Sequence, residues 1–190
     1  MDRLEGDDYI PTDSDIIMSW IKTTGLLEHK FQTDEGITKI YDLGGGASER
    51  KMWIHTFENV DVVIFHVDIA CYDQLLFGDE TQTRMQESLL LFDSIINSRW
   101  FLKTSFILHF TKMDKLAAKI AGAPLKDYFP DFEKDGENIG DVKAYIASRF
   151  LGLSRNPEKS IRVIYTSFID GYEADARKVF DSISGAFHDD

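Results

Sequence analysis

The sequence predicts an α/β fold built on a mostly parallel sheet with one antiparallel hairpin. Three observations carry that reading. β-Branched and aromatic runs of strand length occupy residues 60–69, 105–111 and 161–168, helical periodicity separates them, and two partly alternating runs lie close together earlier in the chain. Strands that alternate with helices are joined by crossovers, which set them side by side in parallel. At 190 residues, 43% hydrophobic and 28% charged, the chain suits one domain over 1–190 with a sizeable core.

Taken in order, residues 26–33 (Leu-Leu-Glu-His-Lys-Phe-Gln-Thr) and 36–43 (Gly-Ile-Thr-Lys-Ile-Tyr-Asp-Leu), parted by Asp34-Glu35, predict the hairpin. The first parallel strand follows at 60–69. Met85, Leu89, Phe92, Ile96 and Trp100 recur at spacings of three and four, so residues 81–100 read as a helix with one apolar face, and Asp79-Glu80 as its solvated start. After the strand at 105–111, the Gly-, Pro- and Asp-rich stretch 121–136 reads as a loop inserted in the domain. Val142, Ile146 and Phe150 mark a helix over 139–150; beyond the strand at 161–168, Ala176, Val179, Phe180, Ile183 and Phe187 mark a last one. No internal repeat and no low-complexity tract is visible.

Composition narrows the chemistry. A formal net charge of −12 with no basic cluster longer than Arg50-Lys51 argues against a nucleic-acid binder, because phosphates would repel it. No run approaches the roughly 18 apolar residues of a membrane span. The acidic first eight residues resemble neither a secretory signal nor a transit peptide, and residue 2 is aspartate, which does not suit myristoylation. A lone cysteine, Cys71, rules out an internal disulfide and fits a reducing compartment. The expectation is a cytoplasmic protein, associated with membranes only through partners. The five histidines (His29, His55, His66, His109, His188) have no i, i+4 pair or cysteine partner at zinc-ligand spacing, so His66 and His109, inside strands, read as satisfied core histidines.

The most specific stretch is Asp42-Leu43-Gly44-Gly45-Gly46-Ala47-Ser48-Glu49-Arg50-Lys51-Met52-Trp53. Glycines let a backbone come close to a phosphate, and a charged and aromatic tail follows them. This run resembles switch II of a heterotrimeric G-protein α subunit (Gα), which reads Asp-Val-Gly-Gly-Gln-Arg-Ser-Glu-Arg-Lys-Lys-Trp. The resemblance extends from about Tyr9 to Phe180. Tyr9-Ile10-Pro11-Thr12, Asp15 and Lys22-Thr23-Thr24-Gly25 look like the linker and switch I. Arg84-Met85-Gln86-Glu87-Ser88, Leu91-Phe92-Asp93-Ser94-Ile95 and Trp100-Phe101 are similar to a helix of the Ras-like domain and the loop after it. Pro124-Leu125 with Tyr128-Phe129-Pro130-Asp131-Phe132 matches the insert typical of α subunits. The order and spacing of these motifs agree throughout.

The resemblance implies a Ras-like, P-loop NTPase-type three-layer fold, with linker and switch I over 1–25, switch II over 42–57 and the loop insert over 121–138. It implies GTP or GDP and Mg²⁺ as cofactors. Thr23 would be the metal ligand, with Asp42, the Gly45 amide, Lys112 and Asp114 as nucleotide contacts. Hard oxygen donors suit Mg²⁺. The implied partners are a βγ dimer or an effector or regulator, met through Glu49, Arg50, Trp53, Glu87 and Trp100. Arg50 would pair with Glu87 when switch II is ordered, and Trp53 would pack on the helix of Glu87 or enter a βγ surface.

Departures from the pattern are as informative. The family orients its attacking water with a glutamine and stabilises the transition state with an arginine in cis, a contribution established for the family at roughly 10³ to 10⁵ in rate. Gly46 and Trp20 occupy those two positions. Thr111-Lys112-Met113-Asp114 stands where the base-reading Asn-Lys-x-Asp belongs, and the later Thr-Cys-Ala-Thr loop, which falls near Ile169-Asp170-Gly171-Tyr172, is not recognisable. No Gly-x-x-x-x-Gly-Lys-Ser/Thr occurs in residues 1–190, and neither do the strand that precedes that loop and the helical domain. The chain therefore reads as a partial Gα domain, truncated to the C-terminal part of the Ras-like domain and catalytically inactive, that serves as an interaction module. Two alternatives stay open: a GTP-binding switch completed by a second chain, and a truncated product without function. Receptor contact is not expected.

Overall fold

The computed structural model describes residues 8–187 apart from Trp20, Asp34, Glu35, Asp135, Glu137 and Asp170. It forms two units, Met1–Asn59 and Val60–Asp190.

The first unit opens with a six-residue helix, α1 (Asp13–Met18). Thr12 and Asp15 close it reciprocally: the Thr12 hydroxyl accepts from the Asp15 amide at 3.3 Å and the Asp15 carboxylate from the Thr12 amide at 2.8 Å. Strands β1 (Leu26–Thr33) and β2 (Gly36–Leu43) then pair antiparallel, in register from Leu26↔Leu43 to Thr33↔Gly36. The alternating runs in the sequence give these bounds directly. A glycine turn leads into a 3₁₀ segment, Arg50–Thr56. Among the described residues of this unit only Gly44 is buried, and Leu26, Leu27, Phe31, Ile37 and Tyr41 of the hairpin are exposed. A two-stranded hairpin with so little burial is marginal in water by itself.

The second unit begins with β3 (Val62–Asp68), followed by a small hairpin of β4 (Leu75–Leu76) and β5 (Asp79–Thr83). Helix α2 (Arg84–Ile96) leads through a 3₁₀ turn (Arg99–Phe101) to β6 (Ser105–Thr111). Then come α3 (Met113–Lys119), α4 (Ile139–Leu151), β7 (Ile161–Tyr165) and α5 (Tyr172–Phe187). The sheet runs β3-β6-β7, parallel throughout, and the α/β fold with a mostly parallel sheet and an antiparallel hairpin is the one expected.

The central strand β6, with five consecutive buried residues, sorts the layers by the period of two. Phe106 and Phe110 point to one face, where Phe92, Phe101 and Phe150 meet them, and Phe65 meets Phe92, in edge-to-face contacts with centroids 5.0–6.1 Å apart. That face is covered by α2 and α4. Ile107 points to the other, packing with Ile164, Val62 and Ile64 against Val179, Ile183 and Ala186 of α5. Three layers result, helices on both faces of a parallel sheet. Among the described residues β3 has β6 as its one strand neighbour, and β2 has β1.

Three local expectations need correction. Asp79-Glu80 starts a strand, not a helix, because Asp79 accepts from the Thr81 amide and hydroxyl (2.9 and 2.6 Å), turning the chain locally. The helix begins at Arg84, where Thr83 and Gln86 form a reciprocal capping box. It ends at Ile96, so Trp100 stands in the separate 3₁₀ turn, 37% exposed with the Arg99 guanidinium 5.4 Å from its ring. The strand expected over 60–69 is trimmed to Val62–Asp68, and that over 161–168 to Ile161–Tyr165. The 121–136 loop contains one 3₁₀ turn, Leu125–Asp127, whose buried Leu125 anchors it.

Candidate functional site

In the first unit the glycine run after β2 is tied down by the side chains that follow it. The Gly44 amide donates to the Gly25 carbonyl at 3.0 Å, and the Gly25 amide donates to Glu49 Oε2 at 3.0 Å. Trp53 Nε1 donates to the Gly44 carbonyl at 2.9 Å, and Arg50 Nε donates to the Gly45 carbonyl at 3.3 Å. The amides of Glu49 and Arg50 both bond the Gly46 carbonyl. Each of the three carbonyls of Gly44-Gly45-Gly46 thus has a donor from within the next seven residues.

The three glycines differ in what they demand. A Cβ at Gly44 would stand 3.0 Å from the Thr23 carbonyl and 3.2 Å from Glu49 Cγ, so a side chain there would push the backbone at Thr23. Gly45 faces open space, and at Gly46 the nearest atom is Glu49 Cγ at 3.6 Å. Packing does not force glycine at Gly46. Beside the loop the Thr23 hydroxyl donates to Asp42 Oδ2 at 3.1 Å, bringing two hard oxygen groups together. Trp20 lies outside the described residues.

The second unit carries the other candidate contacts at the C-terminal end of its sheet, where parallel α/β folds bind ligands. Lys112, left-handed at φ 62°, turns the chain from β6 into α3, and its Nζ bonds Asp68 Oδ2 at 2.7 Å. The Thr111 hydroxyl donates to the Val67 carbonyl at 3.3 Å. One residue into α3, Asp114 holds a buried oxygen, Oδ1, that has no hydrogen-bond partner. A buried carboxylate oxygen left so is costly, and it suits a ligand that brings a donor.

Around these, the Met113 amide donates to the Thr166 carbonyl at 3.2 Å, joining α3 to the end of β7. Asp175 receives the amides of Ser167 and Phe168 at 2.8 and 3.0 Å. Burial works against the charge on Asp175, but those amides and Lys178 hold its carboxyl below the usual range. Behind the turn, His109 bonds His66, Nδ1 to Nδ1, at 2.9 Å, and Thr166 Oγ1 through Nε2 at 2.7 Å. Burial, followed by the neighbouring His66, brings the His109 pKa down to about 4. Cys71 is buried and its thiol is pushed up to about 12, chiefly by burial, which makes it a poor nucleophile.

The fit to a guanine nucleotide with Mg²⁺ is therefore partial. Asp114 Oδ1 suits the paired N–H donors of a guanine edge, while the Thr111 hydroxyl is already engaged with backbone. Thr23 and Asp42 could face a metal, yet among the described residues no group of three His, Cys, Asp or Glu could hold one. Glu49, Arg50 and Trp53 come together around the glycine loop. Glu87, in the first turn of α2, and Trp100 belong to the second unit. Sequence reasoning missed the Asp68–Lys112 pair and the role of Asp175, since nothing in a single sequence marks partners 44 residues apart or a carboxylate that caps a turn from inside a helix.

A model of the G-protein alpha subunit family matches residues 1–186. The chain belongs to that family. It is 48% identical over 170 residues, 90% of its length, to the G-protein complex alpha subunit gpaA of Aspergillus fumigatus, and equally to a guanine nucleotide-binding protein subunit alpha of Cochliobolus heterostrophus. With a guanine nucleotide-binding protein alpha-1 subunit of Neurospora crassa it shares 47% identity over 168 residues. The Gα chain spans about half the length of these curated relatives, 47–48%. Among its described residues no helix is long and apolar enough to cross a membrane.

Proposed function

We propose that this Gα chain is a docking module of G-protein signalling that engages a βγ dimer or an effector through its switch II residues and does not turn over GTP. The observation that carries the reading is the glycine loop. Its three carbonyls are satisfied by the loop's own tail, and Gly46, where a Cβ would meet Glu49 Cγ at an ordinary 3.6 Å, stands where the family resemblance places a water-orienting glutamine. With Trp20 at the position of the cis arginine, neither group that lowers the hydrolytic barrier is available from this chain. Glu49, Arg50 and Trp53 are, by contrast, held in a fixed arrangement, the condition for docking at low entropic cost. In this reading Glu87 and Trp100 of the second unit also meet the partner.

A second reading, a slow guanine-nucleotide switch completed by another chain, rests on Asp114 alone. When a nucleotide is bound, Mg²⁺ neutralises phosphate charge. Asp114 would then accept from the base, and Thr23 and Asp42 would face the metal. Fluorescent GTP analogue titrated with Mg²⁺ separates the two: no saturable binding up to about 10 μM is expected, and micromolar or tighter binding favours the switch. Retention on immobilised βγ, lost with Trp53→Ala and reduced with Trp53→Phe, tests the docking. Equal retention of all three proteins, or of none, contradicts it.

A further inference from the structure

We propose that His66 and His109 form a two-histidine site for a divalent transition-metal ion of tetragonal preference, Cu²⁺ ahead of Ni²⁺, which staples β3 to β6 when bound. The two residues are direct partners in the parallel register, so their side chains stand on the same face of the sheet. Their Nδ1 atoms lie 2.9 Å apart, with the ring planes inclined at 58°. Neither residue takes part in the docking or nucleotide contacts proposed above.

Distance selects the metal. Imidazole nitrogens bind divalent transition metals at about 2.0–2.1 Å, so two ligands in cis at about 90° are about 2.9 Å from each other, whereas a tetrahedral ion holds them about 3.3–3.4 Å apart. The observed spacing is the tetragonal one. Water fills the remaining positions, and His66, exposed at the surface, gives the ion access. Two protein ligands suffice for such an open site, so it does not need the group of three His, Cys, Asp or Glu that is absent among the described residues.

The inner ligand is held in place by its surroundings. His109 is buried, its Nε2 lies 2.7 Å from Thr166 Oγ1, and the Phe168 ring meets it edge-on at 5.8 Å. Asp175 ties down the turn that carries Phe168. With Nε2–H donating to the Thr166 hydroxyl, the lone pair of His109 sits on Nδ1, toward His66. In the metal-free protein His66 donates its own Nδ1–H to that lone pair. Metal binding moves this proton to His66 Nε2, a change of tautomer that leaves both rings neutral, and turns the exposed His66 ring until both lone pairs meet the ion. The Asp175 carboxylate and the chain's net charge of −12 favour a cation here, and Lys178 opposes it.

The test is titration of untagged, chelator-stripped protein with Cu²⁺, Ni²⁺ or Zn²⁺ at about pH 7.5, where both imidazoles are available as ligands. Binding is read by calorimetry and, for Cu²⁺, by electron paramagnetic resonance. We expect one equivalent of Cu²⁺ to bind with an axial spectrum split by two nitrogens and to raise the thermal midpoint, with Ni²⁺ weaker and Zn²⁺ weaker still. His66→Ala, whose metal-free melt should match wild type, should lose both the second nitrogen and the midpoint shift; His66→Gln repeats the comparison if alanine alters the melt. Thr166→Val should weaken Cu²⁺ binding roughly 10- to 100-fold, and His29→Ala or His55→Ala should change nothing. No saturable Cu²⁺ binding, Zn²⁺ held more tightly than Ni²⁺, or an adventitious ion only, seen as binding that survives loss of the His66 ring, would overturn the proposal.

Discussion

Acidification should destabilise the second unit through one buried histidine, His109. It is 1% exposed, with both ring nitrogens in hydrogen bonds, and its pKa falls from 6.5 to about 4 on folding. The unfolded chain therefore takes up a proton before the folded one does. Stability is at its full value above about pH 6.5, falls as pH drops toward about 4, and then levels off. At 1.36 kcal/mol per pKa unit the full loss is about 3 kcal/mol, of which about 2 kcal/mol should appear between pH 7 and pH 4.5. Burial is the largest cause of this shift; His66 of β3 and Lys178 of α5 lower the pKa further, and Asp175 of α5 opposes them. The carboxyl groups held low, Asp79, Asp131 and Asp175, lose their contributions at lower pH, below the carboxylate reference of 3.8. Urea unfolding followed by circular dichroism across pH 4.5–7.5 gives the slope, and His109→Phe, which cannot ionise, should flatten it. The variant will start less stable, since it strips a partner from the Thr166 hydroxyl. An unchanged slope in His109→Phe would refute the reasoning, because the proton uptake would then lie elsewhere.

Other expectations follow from single contacts. Gly46→Gln should leave the thermal midpoint essentially unchanged, whereas Gly44→Ala, whose Cβ meets the Thr23 carbonyl at 3.0 Å, should lower stability by about 1–3 kcal/mol. Equal effects of the two substitutions in one melting series would show that the loop is not packed as described. Thr83→Ala removes the α2 cap and should cost about 1 kcal/mol in urea unfolding; no loss would mean the capping box is not formed. Cys71 should resist a thiol reagent in the native protein and react fully in denaturant, and rapid native labelling would contradict its burial.

The parts of the fold legible in the sequence were those whose pattern is local. The bounds of β1, β2 and β6 follow from alternation or from a continuous apolar run, and α4 from residues in helical register. The β4–β5 hairpin was hidden because Asp-Glu-Thr-Gln-Thr carries no apolar period, and α3 because its first turn follows a left-handed lysine instead of a capping side chain. Thr83 and Gln86 did carry a capping signal, and the apolar period of Met85 and Leu89 begins only after Thr83. In the site, the glycine loop and its tail were visible as a motif. That His66 and His109 meet is not readable from two residues 43 apart; it needs the parallel register that places them opposite each other. The unpartnered oxygen of Asp114 was likewise invisible, since burial is a property of the folded chain.

The central claim, docking through switch II without GTP turnover, is tested most directly by calorimetric titration of a purified βγ dimer into the protein in the absence of any nucleotide. The expected result is saturable binding by the wild type that Trp53→Ala abolishes. Absence of binding, or binding that appears only with Mg²⁺ and GTP or GDP, would contradict the account and favour a nucleotide-dependent switch.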